Sequence, residues 1–300
     1  MAPRIRPLIL FVWFIPLWLT AGCAKGRSVA NDPPAKPSIV VSVPPYLSVV
    51  KAIAGGTVDV RTATPPGFDP HSEEITPNRT ALLHTCRLWI GIGEPYEARI
   101  LASLKGATPP FGILRLNQTV SLLPYPAEVD PDDRSRESVP PLDLHFWMSP
   151  ELLIRHAKEI AKALITLFAE HAETYRRNLT FYLSQIEALD AVCRAKLMNH
   201  KGANVIVSHP FLGYFCREYE LKQLAVEGEG KEVRIRGLID LLTRADETGV
   251  ACVLITPGHN DRGARRIAKM LHRHPVLIDP LAEDPLHTIR QVTDAVTHAK

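Results

Sequence analysis

From residue 38 to the C-terminus, short β-branched and aliphatic runs alternate with longer stretches whose apolar positions recur every three to four residues. A period of two marks strands and a period near 3.6 marks helices, so the alternation predicts an α/β chain built on parallel sheets. Ile39 to Val43 is the first expected strand, Leu47 to Ala54 a helix stopped by Gly55-Gly56, and Val58 to Thr64 the second strand. Pro77 to His84 follows as a short helix, then a strand over Leu88 to Ile92, a helix over Glu94 to Leu104 and a strand over Ile113 to Leu116. Leu123 to Pro141 breaks the rhythm with five prolines and a mixed charge cluster, the signature of an exposed loop. Leu142 to Trp147 reads as a strand, and Ser149-Pro150 as an N-cap with proline at the first helical position.

Two helices come next. Glu151 to Ala169 is one; the other, Ala172 to Leu197, repeats Tyr175, Leu179, Leu183, Ile186, Leu189, Cys193 and Leu197 at helical spacing. At 1.5 Å per residue it spans about 39 Å, enough to join two lobes. After Gly202 the α/β alternation resumes: strands at Val205 to Ser208, Gln223 to Val226, Ala251 to Thr256 and Val276 to Ile278. Helices are expected between and after them at Phe211 to Tyr219, Arg236 to Thr248, Arg262 to His272 and Leu286 to His298. The expected fold is therefore two α/β lobes, each a mostly parallel sheet flanked by helices, at residues 38–171 and 198–300, joined by the helix at 172–197. No internal sequence repeat is visible.

Composition narrows the class. Of the 300 residues, 46% are hydrophobic and 22% charged, enough for a large core, and the formal net charge of +3 with no basic–aromatic run argues against nucleic acid. The N-terminus differs from the rest: Arg4 and Arg6 precede an apolar run from Leu8 to Leu19 and then Thr20-Ala21-Gly22, a secretory signal over residues 1–22. Leu19-Thr20-Ala21-Gly22-Cys23 resembles a bacterial lipobox, which implies lipidation of Cys23; Thr20 departs from the bulky aliphatic usual there. Residues 23–37, rich in proline and small polar residues, are expected as a flexible tether. Cys86, Cys193, Cys216 and Cys252 show no C-x-x-C spacing, and an exported location permits a Cys216–Cys252 disulfide as well as buried free thiols.

Four potential ligands stand at or just past expected strand ends: His71, His145, His209 and Asp279. Open α/β sheets form their sites at the carboxyl ends of strands, so two such residues per lobe suggest a site between the lobes. Singly, each is an ordinary loop histidine or a capping aspartate; together, three imidazoles and a carboxylate suit tetrahedral zinc, where a second carboxylate would favour manganese. Asp69, Glu73 and Asp143 are near enough in sequence to orient the rings.

The ordered series Gly67-Phe68-Asp69-Pro70-His71, Gly91-Ile92-Gly93-Glu94-Pro95-Tyr96-Glu97, Asp143-Leu144-His145-Phe146-Trp147-Met148-Ser149-Pro150, Ser208-His209-Pro210-Phe211-Leu212-Gly213-Tyr214-Phe215 and Leu277-Ile278-Asp279-Pro280-Leu281 resembles the motifs of metal-binding ABC-transporter substrate-binding proteins of the ZnuA/TroA-like family. The resemblance runs from about residue 38 to the end. It implies an exported, lipid-anchored monomer that captures Zn2+ or Mn2+ between two lobes, without catalysis, and passes it to a membrane permease driven by an ATPase. Carried over by motif, the metal ligands are His71, His145, His209 and Asp279, and histidine at the third position is the zinc-type choice. Leu144 replaces the usual proline, no histidine-rich insertion precedes Asp143, and Thr256-Pro257-Gly258-His259 replaces a stretch that often holds glutamate, which makes His259 a candidate to join or replace the fourth ligand. His272 and His274 read as a solvated helix end. Two other functions would use the same residues: a secreted zinc hydrolase, against which the chain has no His-Glu-x-x-His motif, and an adhesin whose metal stiffens the fold.

Overall fold

The computed structural model describes residues 36–64, 77–103, 109–125, 142–228, 231–232 and 249–298. The expected signal over 1–22, the tether over 23–37 apart from its last two residues, the whole of the expected helix over 236–248, and His71 with its neighbours Asp69 and Glu73 lie outside the described residues.

Two four-stranded parallel sheets carry the fold. In the first, β1 (Ser38–Val41) lies between β2 (Asp59–Thr62) and β3 (Leu88–Gly91), with β4 (Gly112–Arg115) outside β3. Helix α1 (Pro45–Ala54) connects β1 to β2, starting at a proline and ending on Gly55, whose φ of 58° lets its N–H reach Lys51 O. α2 (Pro77–His84) and α3 (Pro95–Ser103) follow β2 and β3. β5 (Leu123–Pro124) and β6 (Leu142–Asp143) form a separate antiparallel pair.

α4 (Pro150–Leu167) and α5 (Ala172–Leu197) then lead to the second sheet. There β7 (Asn204–Val207) lies between β8 (Lys222–Ala225) and β11 (Val250–Ile255), with β12 (Val276–Leu277) outside β11. β9 (Glu227–Gly228) and β10 (Lys231–Glu232) make a small hairpin. Helices α6 (Gly213–Glu218), α7 (Arg262–Met270) and α8 (Pro285–His298) complete the described elements.

Both sheets share one strand order, second-first-third-fourth by chain position, although no sequence repeat betrays it. Each has a topological switch where its first strand meets its third, the place at which such sheets open a crevice. Side chains alternate between faces as period two requires. Ile39, Val41, Val205, Val207, Cys252 and Leu254 enter one large core cluster, which runs from the first sheet to the second. Val40 and Trp89 pack on the outer face of the first sheet, and Ile206, Val253 and Ile255 on that of the second.

Helix α5 serves both lobes. Its N-terminal half meets α1 and its neighbours: Tyr175 Oη bonds Thr57 Oγ1 at 2.7 Å and Asn178 Nδ2 donates to Ile53 O at 3.0 Å. Its C-terminal half meets α8, where Cys193 Sγ lies 3.1 Å from Thr293 Oγ1 and Lys196 pairs with Asp294. The expected core stripe holds, with Tyr182 buried beside it while Leu179 and Leu183 are partly buried.

One expected strand is not formed. Of Leu142 to Trp147, Leu142 and Asp143 alone pair as a strand, with Leu123–Pro124 from the segment expected to be loop, and Phe146–Met148 is a 3-10 turn. The Asp143 carboxylate accepts the N–H of His145, two residues on, and this local bond ends the extended run. The apolar residues there face the shared core in a turn and not a sheet. Cys86, Cys193, Cys216 and Cys252 are buried free thiols, so the optional disulfide is not formed. Among the described residues, no helix is long and apolar enough to cross a membrane.

Candidate metal centre

His145 and His209 meet across the two lobes. Their ring centroids are 5.3 Å apart with planes at 71°, and both residues are buried, at 2% and 5% exposure. Two imidazoles bound to one tetrahedral zinc, with about 2.05 Å from metal to nitrogen and about 1.15 Å more to the ring centre, have centroids about 5.2 Å apart. The separation therefore fits a shared ion, and burial has already removed most of the water that ligation would displace.

Each ring is placed by local chemistry. His145 follows the two-residue strand β6, on the turn that Asp143 imposes. Asp143 Oδ1 lies 2.8 Å from His145 N and 3.0 Å from His145 Nδ1. A carboxylate accepting from Nδ1–H fixes the tautomer and leaves Nε2 the lone pair that a metal needs. Of the three acidic residues expected near the rings, Asp143 is the described one, and it takes this role. Trp147 packs against the His145 ring at 5.2 Å. His209 leaves the end of β7, the first strand of the second sheet, at that sheet's switch point.

Three bonds tie the His145 segment to the second lobe. Trp147 Nε1 donates to Pro280 O at 2.8 Å, Tyr214 Oη donates to Asp143 O at 2.7 Å, and Ser149 Oγ donates to Glu218. Ser149 also caps α4 by accepting from Leu152 N, so the helix start and the lobe contact share one hydroxyl. Burial pushes the Glu218 carboxyl up, against the bond from Ser149. Gly213 is required here because a Cβ on it would stand 2.5 Å from Asp143 Oδ2.

Asp279 lies just past β12 and is exposed; its Oδ1 accepts the N–H of Leu281 at 2.9 Å. The Trp147–Pro280 bond brings this strand end to the His145 turn. Among the described residues, no three His, Cys, Asp or Glu side chains gather as a ready-made metal shell. His71 lies outside them, so its relation to the pair is not described. His259 stacks on His209, with centroids 3.9 Å apart and planes at 22°. His272, with a φ of 54°, is exposed after α7, as is His274, in keeping with a helix end.

The Gly91 to Glu97 motif turns out to be a structural latch. Glu97 Oε1 accepts from Ile92 N at 2.8 Å and Oε2 from Gly93 N at 3.0 Å, while Gly91 leaves room for the carboxylate. Burial raises the Glu97 carboxyl, partly offset by these N–H bonds. Sequence reasoning singled out the motifs holding Glu97, Gly213 and Tyr214 but gave these residues no role. The signal for Gly213 was a glycine inside an otherwise bulky run.

Known proteins match most of the chain. The chain is 26% identical over 280 residues to the iron-binding protein YfeA of Yersinia pestis, covering 89% of this chain and 85% of YfeA. It is 24% identical over 251 residues to the high-affinity zinc uptake system protein ZnuA of Bacillus subtilis, covering 81% and 79%. A crystal structure of a ZnuA deletion mutant with zinc bound matches with a TM-score of 0.77 at 30% identity, covering 88% of this chain and 98% of that one. The family model for ZnuA, zinc-uptake complex component A, periplasmic, matches residues 39–297, and the chain belongs to that family.

Proposed function

We propose that this protein is the extracytoplasmic substrate-binding component of an ABC metal importer, taking up Zn2+ between its lobes and delivering it to a membrane permease and ATPase. The observation that carries this reading is the buried pair His145 and His209, 5.3 Å apart, with Asp143 holding the tautomer of the first ring. The proposed ligand set is His71, His145, His209 and Asp279. Zinc is the cargo here and not a reagent, and no residue in this reading serves as a general base. The chain works as a monomer, held to the membrane by a lipid on Cys23.

The donor set favours zinc over manganese. Three imidazoles with one carboxylate are softer than the oxygen-rich shells that manganese prefers.

Metal analysis and competitive titration of the purified protein test the reading. The expected result is one tightly held zinc, preferred over manganese under matched conditions, with large losses in His145→Ala, His209→Ala and Asp279→Ala. Tight zinc binding that survives His71→Ala and His209→Ala together sinks the ligand assignment. A preference for manganese sinks the choice of metal while leaving the importer role standing.

A further inference from the structure

We propose that His259 is a positioning residue for the metal site: its imidazole lies flat on His209 and fixes the plane in which His209 offers its nitrogen. This deepens the metal-binding reading and rests on His209 being a ligand. The rings are 3.9 Å apart with planes at 22°. That is a stacking distance and not a shared-ligand distance, since two imidazoles on one tetrahedral ion stand about 5.2 Å apart and on one octahedral ion about 4.6 Å. His259 therefore cannot join His209 on one ion without first leaving the stack.

The chain builds this stack deliberately. β7 and β11 are neighbours at the switch point of the second sheet, and His209 and His259 follow their carboxyl ends. Where the two segments leave the sheet they are stapled, with Ser208 Oγ accepting from Thr256 N at 3.0 Å and lying 3.1 Å from Thr256 Oγ1. Thr256-Pro257-Gly258-His259 then has proline followed by a glycine at φ 78°, the requirement of a type II turn, which folds His259 back over the sheet end. His209 thus contacts two imidazoles, His145 in a T-shaped arrangement and His259 face to face. A ring stacked on a neighbour is hindered from turning out of its plane, so its nitrogen is aimed before the ion arrives.

The test uses the full chain with His259→Ala, His259→Phe and His209→Ala, read by competitive zinc titration and by NMR of 13C-labelled histidine rings in the metal-free protein. The His209 signals are assigned by their loss in His209→Ala. His259→Ala is expected to weaken zinc binding by about tenfold. It should also move the His209 ring signals, because the ring current above them is gone. His259→Phe keeps a flat ring without a ligand nitrogen and should restore both readouts, with zinc affinity within about threefold of the parent. Phe as weak as Ala would make His259 a direct ligand and overturn the proposal. Unchanged His209 signals in His259→Ala, or undiminished zinc affinity there, would overturn it too. If His209→Ala binds zinc as well as the parent, the ligand assignment itself fails, and the NMR comparison still decides whether the stack exists.

Discussion

Gly213→Ala adds one methyl group four residues past His209, and it should weaken metal binding through Asp143, 70 positions earlier, which holds the other proposed imidazole ligand. The new Cβ would stand 2.5 Å from Asp143 Oδ2, and ordinary contact begins at 3.4 Å, so the carboxylate must retreat by about 0.9 Å. Asp143 has little freedom to do so, because Tyr214 Oη holds its carbonyl at 2.7 Å and its Oδ1 holds both His145 N and Nδ1. A shift of that size along the bonds takes 2.8 and 3.0 Å to about 3.7 and 3.9 Å, past hydrogen-bonding range. Two costs follow. Overpacking should lower the stability of the metal-free protein by about 1–3 kcal/mol. Loss of the oriented His145 tautomer should weaken zinc by about 10- to 100-fold, equivalent to roughly 1.4–2.7 kcal/mol.

Competitive zinc titration and urea denaturation read the two effects separately. The decisive comparison is a double-mutant cycle with Asp143→Ala. Once the carboxylate is gone, Gly213→Ala should cost no further affinity beyond about 0.5 kcal/mol, the usual limit of additivity for uncoupled sites. Parent-like affinity in Gly213→Ala, or an affinity loss that persists undiminished in the Asp143→Ala background, would refute the chain of contact from Gly213 through Asp143 to His145.

Two further outcomes follow from the same structure. His156 is fully buried, bonded to Tyr46 Oη at 2.8 Å, and its pKa falls from 6.5 to about 3, chiefly through desolvation and secondarily through Arg155. A depressed histidine contributes stability that is complete above pH 6.5 and is lost as pH falls towards 3, on the order of 4–5 kcal/mol in all. Urea midpoints of the metal-free protein from pH 7 to pH 4 should therefore fall more steeply in the parent than in His156→Leu; equal slopes would refute this. Because α5 packs on both lobes and Trp147, Tyr214 and Ser149 bond across them, metal loading should change the radius of gyration little. A large change in small-angle scattering between metal-free and loaded forms would show that these tethers break.

The sheets were legible in the sequence because buried parallel strands read as compact β-branched runs, and α4 because Ser149-Pro150 spells its start. Leu142 to Trp147 misled for the same reason: an apolar run looks like a strand whether its side chains face a sheet or a turn. What ended it was the Asp143–His145 bond, a local choice between side chain and ladder that hydrophobic pattern does not encode. His145 was thus found as a ligand candidate although it does not end a sheet strand. The clearance at Gly213 depends on a residue 70 positions earlier, and the His209–His259 stack on two strands adjacent in space but separated by β8 to β10 in the chain. No reading of one segment at a time reveals either.

The two sheets share a topology and spend it differently. At the first switch point, between β1 and β3, the described polar groups satisfy one another: Ser42 O accepts from Tyr96 Oη, Ser42 Oγ accepts from Trp89 Nε1, and Glu97 closes on the N–H groups of Ile92 and Gly93. Such a network rigidifies the strand ends. At the second, between β7 and β11, the segments leaving the strand ends carry His209 and His259, stapled by the Ser208–Thr256 bonds. The imidazole that faces them, His145, comes from neither sheet but from a turn bonded to the second lobe through Trp147, Tyr214 and Ser149. His145 and His209 are consequently fixed relative to each other by contacts that do not pass through the first sheet. Their 5.3 Å separation is held by those contacts, and under the proposed ligand assignment it suits two imidazoles on one tetrahedral ion.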